Sequence, residues 1–297
     1  MNSEFQALQN SNLSPEAIQR YVLPKFNLQN AQISIIKFKD TEKQRAVYRV
    51  DYNNNSYCLK KVYYELDDLL YVYSAIEWLY RNKIRVPKLL PTIDNNRFAQ
   101  FNDMLFILTP WIEGEKCSFD NMNHIELSIK KLAQIHSISR TFKPILGSNL
   151  KEGFDDYYIS TLKHFQDLLK SSNDSFKYKD KFSKKFISDF DLNFRLAKIS
   201  LDMSNKIEPS QLSRSLCHGD YVNKNILIPD DNDPWIIDFD KCKMDYCARD
   251  LSYFLRRLLK RENTKWDLDL SLNILKTYNN IAPLTESDRS EERRVGK

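Results

Sequence analysis

The chain has 297 residues, 42% of them hydrophobic, enough to bury a sizeable core and to build two lobes. Its formal charge of +5 and the lack of any run of 18 apolar residues give no reason to expect a nucleic-acid or a membrane partner. The opening MNSEFQALQN has neither the basic nor the apolar region of a signal peptide, so synthesis as a soluble cytoplasmic chain is expected.

Ser14 and Pro15 read as an N-cap and first-turn pair, and Pro24 breaks the helical pattern, so residues 15–22 are expected to form a short helix. Strands are expected over Ile33 to Phe38, Ala46 to Tyr52 and Tyr57 to Val62, rich in β-branched and aromatic residues. Asn53, Asn54 and Asn55 give the hairpin signal between the last two. Leu66 to Asn82 has the apolar spacing of a helix, and Val86 to Leu90, Phe98 to Phe101 and Met104 to Thr109 read as further strands. Pro110 and the WIEGE run, Trp111 to Glu115, mark a connector.

Beyond it helices dominate: Ile125 to Ser139, Phe154 to Lys170, Lys177 to Ser204, Asp250 to Arg261 and Leu268 to Asn280. The basic cluster from Lys177 to Lys185 reads as a solvated helix face. The five cysteines, Cys58, Cys117, Cys217, Cys242 and Cys247, include no CxxC pair and are expected to be small buried thiols. The closing RSEERRVGK, Arg289 to Lys297, back-translates to the start of a common sequencing-adapter read and is set aside as an artefact. Without its four basic and two acidic residues the formal charge is (45−4)−(40−2) = +3.

The stretch from His218 to Asp240, HGDYVNKNILIPDDNDPWIIDFD, carries the chemistry. Asp220 stands five residues before Asn225, and an apolar run closes on Asp238. An aspartate that accepts a hydroxyl proton, with an Asn and a second Asp that hold Mg²⁺ on a nucleotide, is the minimal set of kinase-like phosphoryl transfer. A hairpin of Ile226 to Ile228 and Trp235 to Ile237 would bring Asn225 and Asp238 to one end of two paired strands. The bland alternative is that Asp220 and Asn225 are turn residues and Asp238 a strand-end cap. His218 reads as structural, and Asp240 as a supporting group behind Asp238.

HGDYVNKN, IIDFD and the RDLSYFLRR segment after them resemble the aminoglycoside phosphotransferase and choline kinase superfamily. Within it, IDFDKC, RDLSYFLRR, WIEGE and VPKLL are similar to the CotS family of bacterial spore coat proteins, over about residues 31 to 262. The resemblance implies an α+β, bilobal protein-kinase-like fold. Its β-rich N-lobe spans residues 1–110 and its helical C-lobe residues 111–288, the latter cut short at its end. It implies Asp220 as catalytic base, Asn225 and Asp238 as Mg²⁺ ligands, Asp250 as a brace of the loop, and ATP as phosphoryl donor. The KLAQIHSIS segment resembles the superfamily's LAxLH helix, with His136 a packing residue. The implied partners are other spore coat proteins, with a small molecule or glycan as acceptor, and the implied place is the spore coat. The competing readings are a structural coat protein without turnover and a small-molecule kinase unrelated to spores.

A nucleotide kinase also needs a lysine on the strand leaving the hairpin. Lys60 shares a face with Cys58 and Val62, whereas Lys61 would point the other way; a charged strand edge is the bland alternative. Glu77 is preferred over Glu65 as the helix glutamate that would pair with Lys60. The phosphate-covering loop, Lys39 to Arg45, has no glycine, and the glycines at 114, 147, 153, 219 and 296 exclude GxGxxG and P-loop patterns.

Overall fold

A computed structural model of the chain describes residues 12–39 and 44–289. The closing nine residues therefore lie, but for Arg289, outside the described residues, as do residues 40–43 of the glycine-free loop.

Contacts divide the chain into two compact units, residues 1–131, 141–151 and 223–242 in the first and residues 132–140, 152–222 and 243–297 in the second. Among the described residues the first unit opens with α1 (Pro15–Tyr21), where the Ser14 hydroxyl accepts from Ala17 N at 3.2 Å and Pro15 occupies the first turn. A five-stranded antiparallel sheet comes next, built from β1 (Gln32–Lys39), β2 (Arg45–Tyr52), β3 (Asn55–Lys61), β4 (Ala99–Phe101) and β5 (Met104–Pro110). The strand order is β1-β2-β3-β5-β4. Asn53 and Asn54 turn the β2–β3 hairpin with φ of 48° and 60°, the left-handed pair that a two-residue turn requires and that Asn tolerates. The alternating inner faces of β2 and β3 (Ala46, Tyr48, Val50 and Leu59) pack with Leu13, Ile18 and Leu23 into the core of this unit.

Between β3 and β4 runs α2 (Leu66–Arg81), whose apolar stripe of Leu69, Val72, Ile76 and Leu79 is buried. The strand expected over Val86 to Leu90 is absent: in and beside the segment there are only isolated backbone bonds, Ile236 N to Arg85 O at 3.0 Å and Leu90 N to Leu108 O at 2.8 Å. Pro87 and Pro91 have no N–H with which to extend a ladder.

The connector ends in β6 (Glu115–Lys116), which pairs antiparallel with β8 (Ile226–Ile228), itself paired with β9 (Trp235–Ile236). Gly114 sits at φ 152°, and a Cβ there would lie 3.2 Å from Ile228 O, so the connector approaches β8 closely because this residue has no side chain. The chain continues into α3 (Met122–Ile138), inside which the division between the units falls.

The second unit is helical: α4 (Tyr157–Tyr178), α5 (Lys181–Ser188), α6 (Phe190–Ser204), α7 (Cys247–Leu259) and α8 (Leu268–Asn279). The single helix expected over Lys177 to Ser204 is broken twice. Lys179 adopts φ 53° and ends α4, Asp180 caps α5 by accepting from Ser183 N at 2.8 Å, and Asp189 separates α5 from α6. The lysines from Lys177 to Lys185 are exposed. Two short strands that the sequence pattern does not announce, β7 (Arg214–Cys217) and β10 (Lys243–Tyr246), pair antiparallel under α7. Four of the cysteines are buried, Cys58 is half-buried, and all five are free thiols.

Candidate active site

In the first unit the β8–β9 hairpin places Asn225 and Asp238 at one end. Ile237 N donates to Asn225 O at 3.0 Å, which ties the residue before Asp238 to the residue before β8. Asp238 itself adopts φ 67° and ψ 60°, the left-handed region that an L-residue enters at a cost of about 1 kcal/mol or more. That turn out of β9 begins a short 3₁₀ segment, Phe239–Lys241, so Asp238 and Asp240 both reach one cation.

The cation is Lys60 on β3. Its ammonium lies 2.7 Å from Asp238 Oδ1 and 2.7 Å from Asp240 Oδ1. Burial would lower the lysine's pKa, but the carboxylates of Asp240 and Asp238 outweigh it and hold Lys60 above its ordinary value. Lys61 faces the other way and donates to Gln44 O at 2.8 Å. Asp240 also accepts from the Tyr64 hydroxyl at 3.4 Å, and burial followed by the Asp240 charge drives that phenol's pKa up. Cys58, on the same face as Lys60, is pushed up to about 11, chiefly by burial, and is a thiol at neutral pH.

The pairing of Lys60 with Glu77 is not seen. Glu77 on α2 instead meets Arg81 one helical turn away at 3.5 Å, and Lys60 is held by the two aspartates. Glu65 stands at the N-cap position of α2. The carboxylates converging on Lys60, with the buried Asn225 at the same end of the hairpin, are hard oxygen donors of the kind a divalent cation such as Mg²⁺ takes.

In the second unit the HGD turn is held from behind. Asp250, near the start of α7, accepts from His218 N at 2.5 Å through one oxygen and from Gly219 N at 2.9 Å through the other. His136 lies with Nε2 3.5 Å from Asp250 and Nδ1 2.7 Å from the Tyr278 hydroxyl, so its role is packing within a buried polar group. The largest influence on Asp250 is burial, which opposes its charge, yet the His136 ring and the loop N–H groups keep its carboxyl below the ordinary range. The His218 ring turns back to accept from Asp220 N at 3.2 Å and meets Tyr221 edge-on. Asp220 is thereby fixed through its backbone, and its Oδ1 accepts from the Tyr253 hydroxyl at 3.4 Å.

A model of the phosphotransferase enzyme family, APH, matches residues 35–283. The chain belongs to that family. Among solved structures it is similar to an aminoglycoside phosphotransferase from Alicyclobacillus acidocaldarius subsp. acidocaldarius DSM 446, at 18% identity over 92% of this chain and 80% of that one, with TM-score 0.75. It is similar to a spectinomycin phosphotransferase solved with ADP and spectinomycin, at 19% identity over 92% and 82%, with TM-score 0.63. An amicoumacin kinase solved with AMP-PNP and Ca²⁺ gives 15% identity over 99% and 86%, with TM-score 0.64. At these identities the likeness is one of fold: kinase-like, with a small β-sheet N-terminal region and a helical C-terminal region. No helix among the described residues is long and apolar enough to cross a membrane.

Sequence reasoning leaves two residues, one in each unit, under-described. Asp240 reads from the sequence as a supporting group behind Asp238, whereas it meets Lys60 at the same 2.7 Å as Asp238 does. Tyr253 carries no role in that reading, and only the helical period of α7, which sets it three residues after Asp250, gives a hint of its direction.

Proposed function

We propose that this chain is an ATP-dependent phosphotransferase acting on a hydroxyl of a small molecule or a glycan. The observation that carries the reading is the meeting of Lys60 with Asp238 across 178 residues of sequence, with Asp240 beside it. Lys60 binds and orients the donor phosphates, and the side chains of Asn225 and Asp238 would hold the cation. Bound there, Mg²⁺ supplies neutralisation of the phosphate charge. Asp220 accepts the acceptor's hydroxyl proton while the acceptor oxygen bonds to the γ-phosphorus and the bond from that phosphorus to the ADP oxygen breaks. Lys60 is held by the two aspartates, and Glu77 stands with Arg81.

Isothermal titration of the full chain with ATP, with and without Mg²⁺, tests the reading. Saturable binding that needs Mg²⁺ is the expected result; no Mg²⁺-dependent nucleotide binding ends the enzyme reading and leaves a structural protein on a kinase-like fold, the alternative that the glycine-free Lys39 to Arg45 loop favours.

For the biological setting we propose a CotS-like protein, made in the cytoplasm and placed in the spore coat with other coat proteins as partners. The IDFDKC and RDLSYFLRR segments support it. A fluorescent fusion that never encircles the forespore in a sporulating host would instead favour a kinase unrelated to spores.

A further inference from the structure

The second unit contains an open cleft of ≈ 620 Å³, within the range of small-molecule sites, and Gly219 of the HGD turn forms part of its wall. It is lined by residues of β10, of the start of α4, of α6 and of α7. An acceptor that is a polycation needs unspent carboxylates in such a cleft, and here they are spent. Asp155 is 3.0 Å from Arg249, while Asp245 meets Lys243 at 3.2 Å and Arg249 at 3.4 Å. Asp250, the third lining carboxylate, is consumed by the two backbone N–H groups of the HGD turn.

The unspent charge is positive. Arg256, which lines the cleft, has no carboxylate partner among the described residues and lies with its guanidinium 5.4 Å from the Tyr253 ring. Arg257 donates to the Tyr253 hydroxyl at 2.9 Å, and that hydroxyl in turn reaches Asp220 at 3.4 Å. Two arginines therefore flank the tyrosine that touches the residue proposed to take the acceptor's proton. Tyr157 adds an aromatic wall, with the Arg249 guanidinium 5.2 Å from its ring centroid.

We infer that this cleft takes a hydroxylated anion, a polyol or sugar bearing a carboxylate or phosphate, with Arg256 binding the anionic group and the acceptor hydroxyl presented to Asp220. A guanidinium suits that task because its planar fork matches carboxylate and phosphate oxygens. The inference rests on the phosphotransferase reading for the word acceptor, but the anion site is independent of it.

The test is titration of the full chain, without nucleotide, against glycerol 3-phosphate and glycerate, with glycerol and the polycation kanamycin as comparisons. Saturable binding of at least one anion is expected, with none of glycerol, and about a tenfold loss in Arg256→Gln that Arg256→Lys partly restores. Circular dichroism verifies that the variants fold, which is expected at an exposed helix position; the wild-type comparison stands whether or not they do. Kanamycin binding more tightly than both anions, or no binding of either anion, overturns the inference. So does anion binding unchanged in a folded Arg256→Gln. Anion binding without Mg²⁺-dependent ATP binding leaves the anion site standing and overturns its role as an acceptor cleft. ATP binding without anion binding overturns the inference alone.

Discussion

Asp250→Asn is the perturbation whose size the structure lets one work out most directly. Each oxygen of the Asp250 carboxylate serves one backbone N–H of the HGD turn, His218 on one side and Gly219 on the other. An amide in the same place has one oxygen and one NH₂, so either rotamer leaves one buried N–H facing another donor. The lost charge-assisted bond is worth about 1.5–3 kcal/mol and the stranded donor about 1–3 kcal/mol, and the cheaper burial of a neutral group offsets part of this. The net is about 3 kcal/mol, a large share of the ~5–15 kcal/mol that stabilises a typical domain. The melting transition followed by circular dichroism should fall by about 6–12 °C at neutral pH.

Asp174→Asn, on the exposed surface of α4 where the carboxylate is 3.5 Å from Lys177, should change little. The pH dependence has a definite sign. Because the folded-state pKa of Asp250 is depressed, its contribution is fully present above the unfolded value of ~3.9 and is lost as pH falls through the lower folded value. The gap between wild type and Asp250→Asn should be open at pH 7 and begin to close only as pH falls below about 4. A shift of less than about 1 °C at pH 7 would refute the claim that this carboxylate holds the turn.

Lys60→Met removes the cation between Asp238 and Asp240 and should weaken ATP binding at least tenfold in calorimetry while the protein stays folded; unchanged affinity would remove Lys60 from the site. Asp220→Asn keeps the shape of the turn, which is fixed through its backbone N–H, and should leave Mg²⁺-dependent ATP binding largely intact while acceptor phosphorylation falls by about 10²-fold or more, measured as ADP release. Equal loss of both would mean that Asp220 serves nucleotide binding and not proton transfer.

Much of the first unit is legible in the sequence because its signals are local. Asn-Asn turns, β-branched strands and the apolar stripe of Leu66 to Arg81 each declare themselves within a few residues. Val86 to Leu90 shows the limit of that rule: composition favours a strand, but Pro87 and Pro91 remove the donors a ladder needs, and the segment makes only isolated backbone bonds. The breaks at Lys179 and Asp189 are invisible for the opposite reason. No Pro or Gly marks them: the first arises from a left-handed lysine and side-chain capping by Asp180, and at the second Asp189 leaves the helical region with φ −100° and ψ 2°, neither of which periodicity registers. Strands β7 and β10 have four residues each, too few to show a period.

The site divides along the same line. That Asn225 and Asp238 belong together can be read from a hairpin, because short-range pairing fixes it. Which carboxylate Lys60 meets cannot, since the answer depends on the left-handed backbone at Asp238, which turns the chain so that positions 238 and 240 converge on one ammonium. On a regular strand those two side chains would merely share a face, and a helix glutamate would look like the better partner. Glu77 meets Arg81, one helical turn along α2, and Lys60 meets the two aspartates. The charges that act on Lys60 are those of Asp240 and Asp238, so the charge that orients it comes from the hairpin end itself, and the lysine and the proposed metal ligand Asp238 form one electrostatic group.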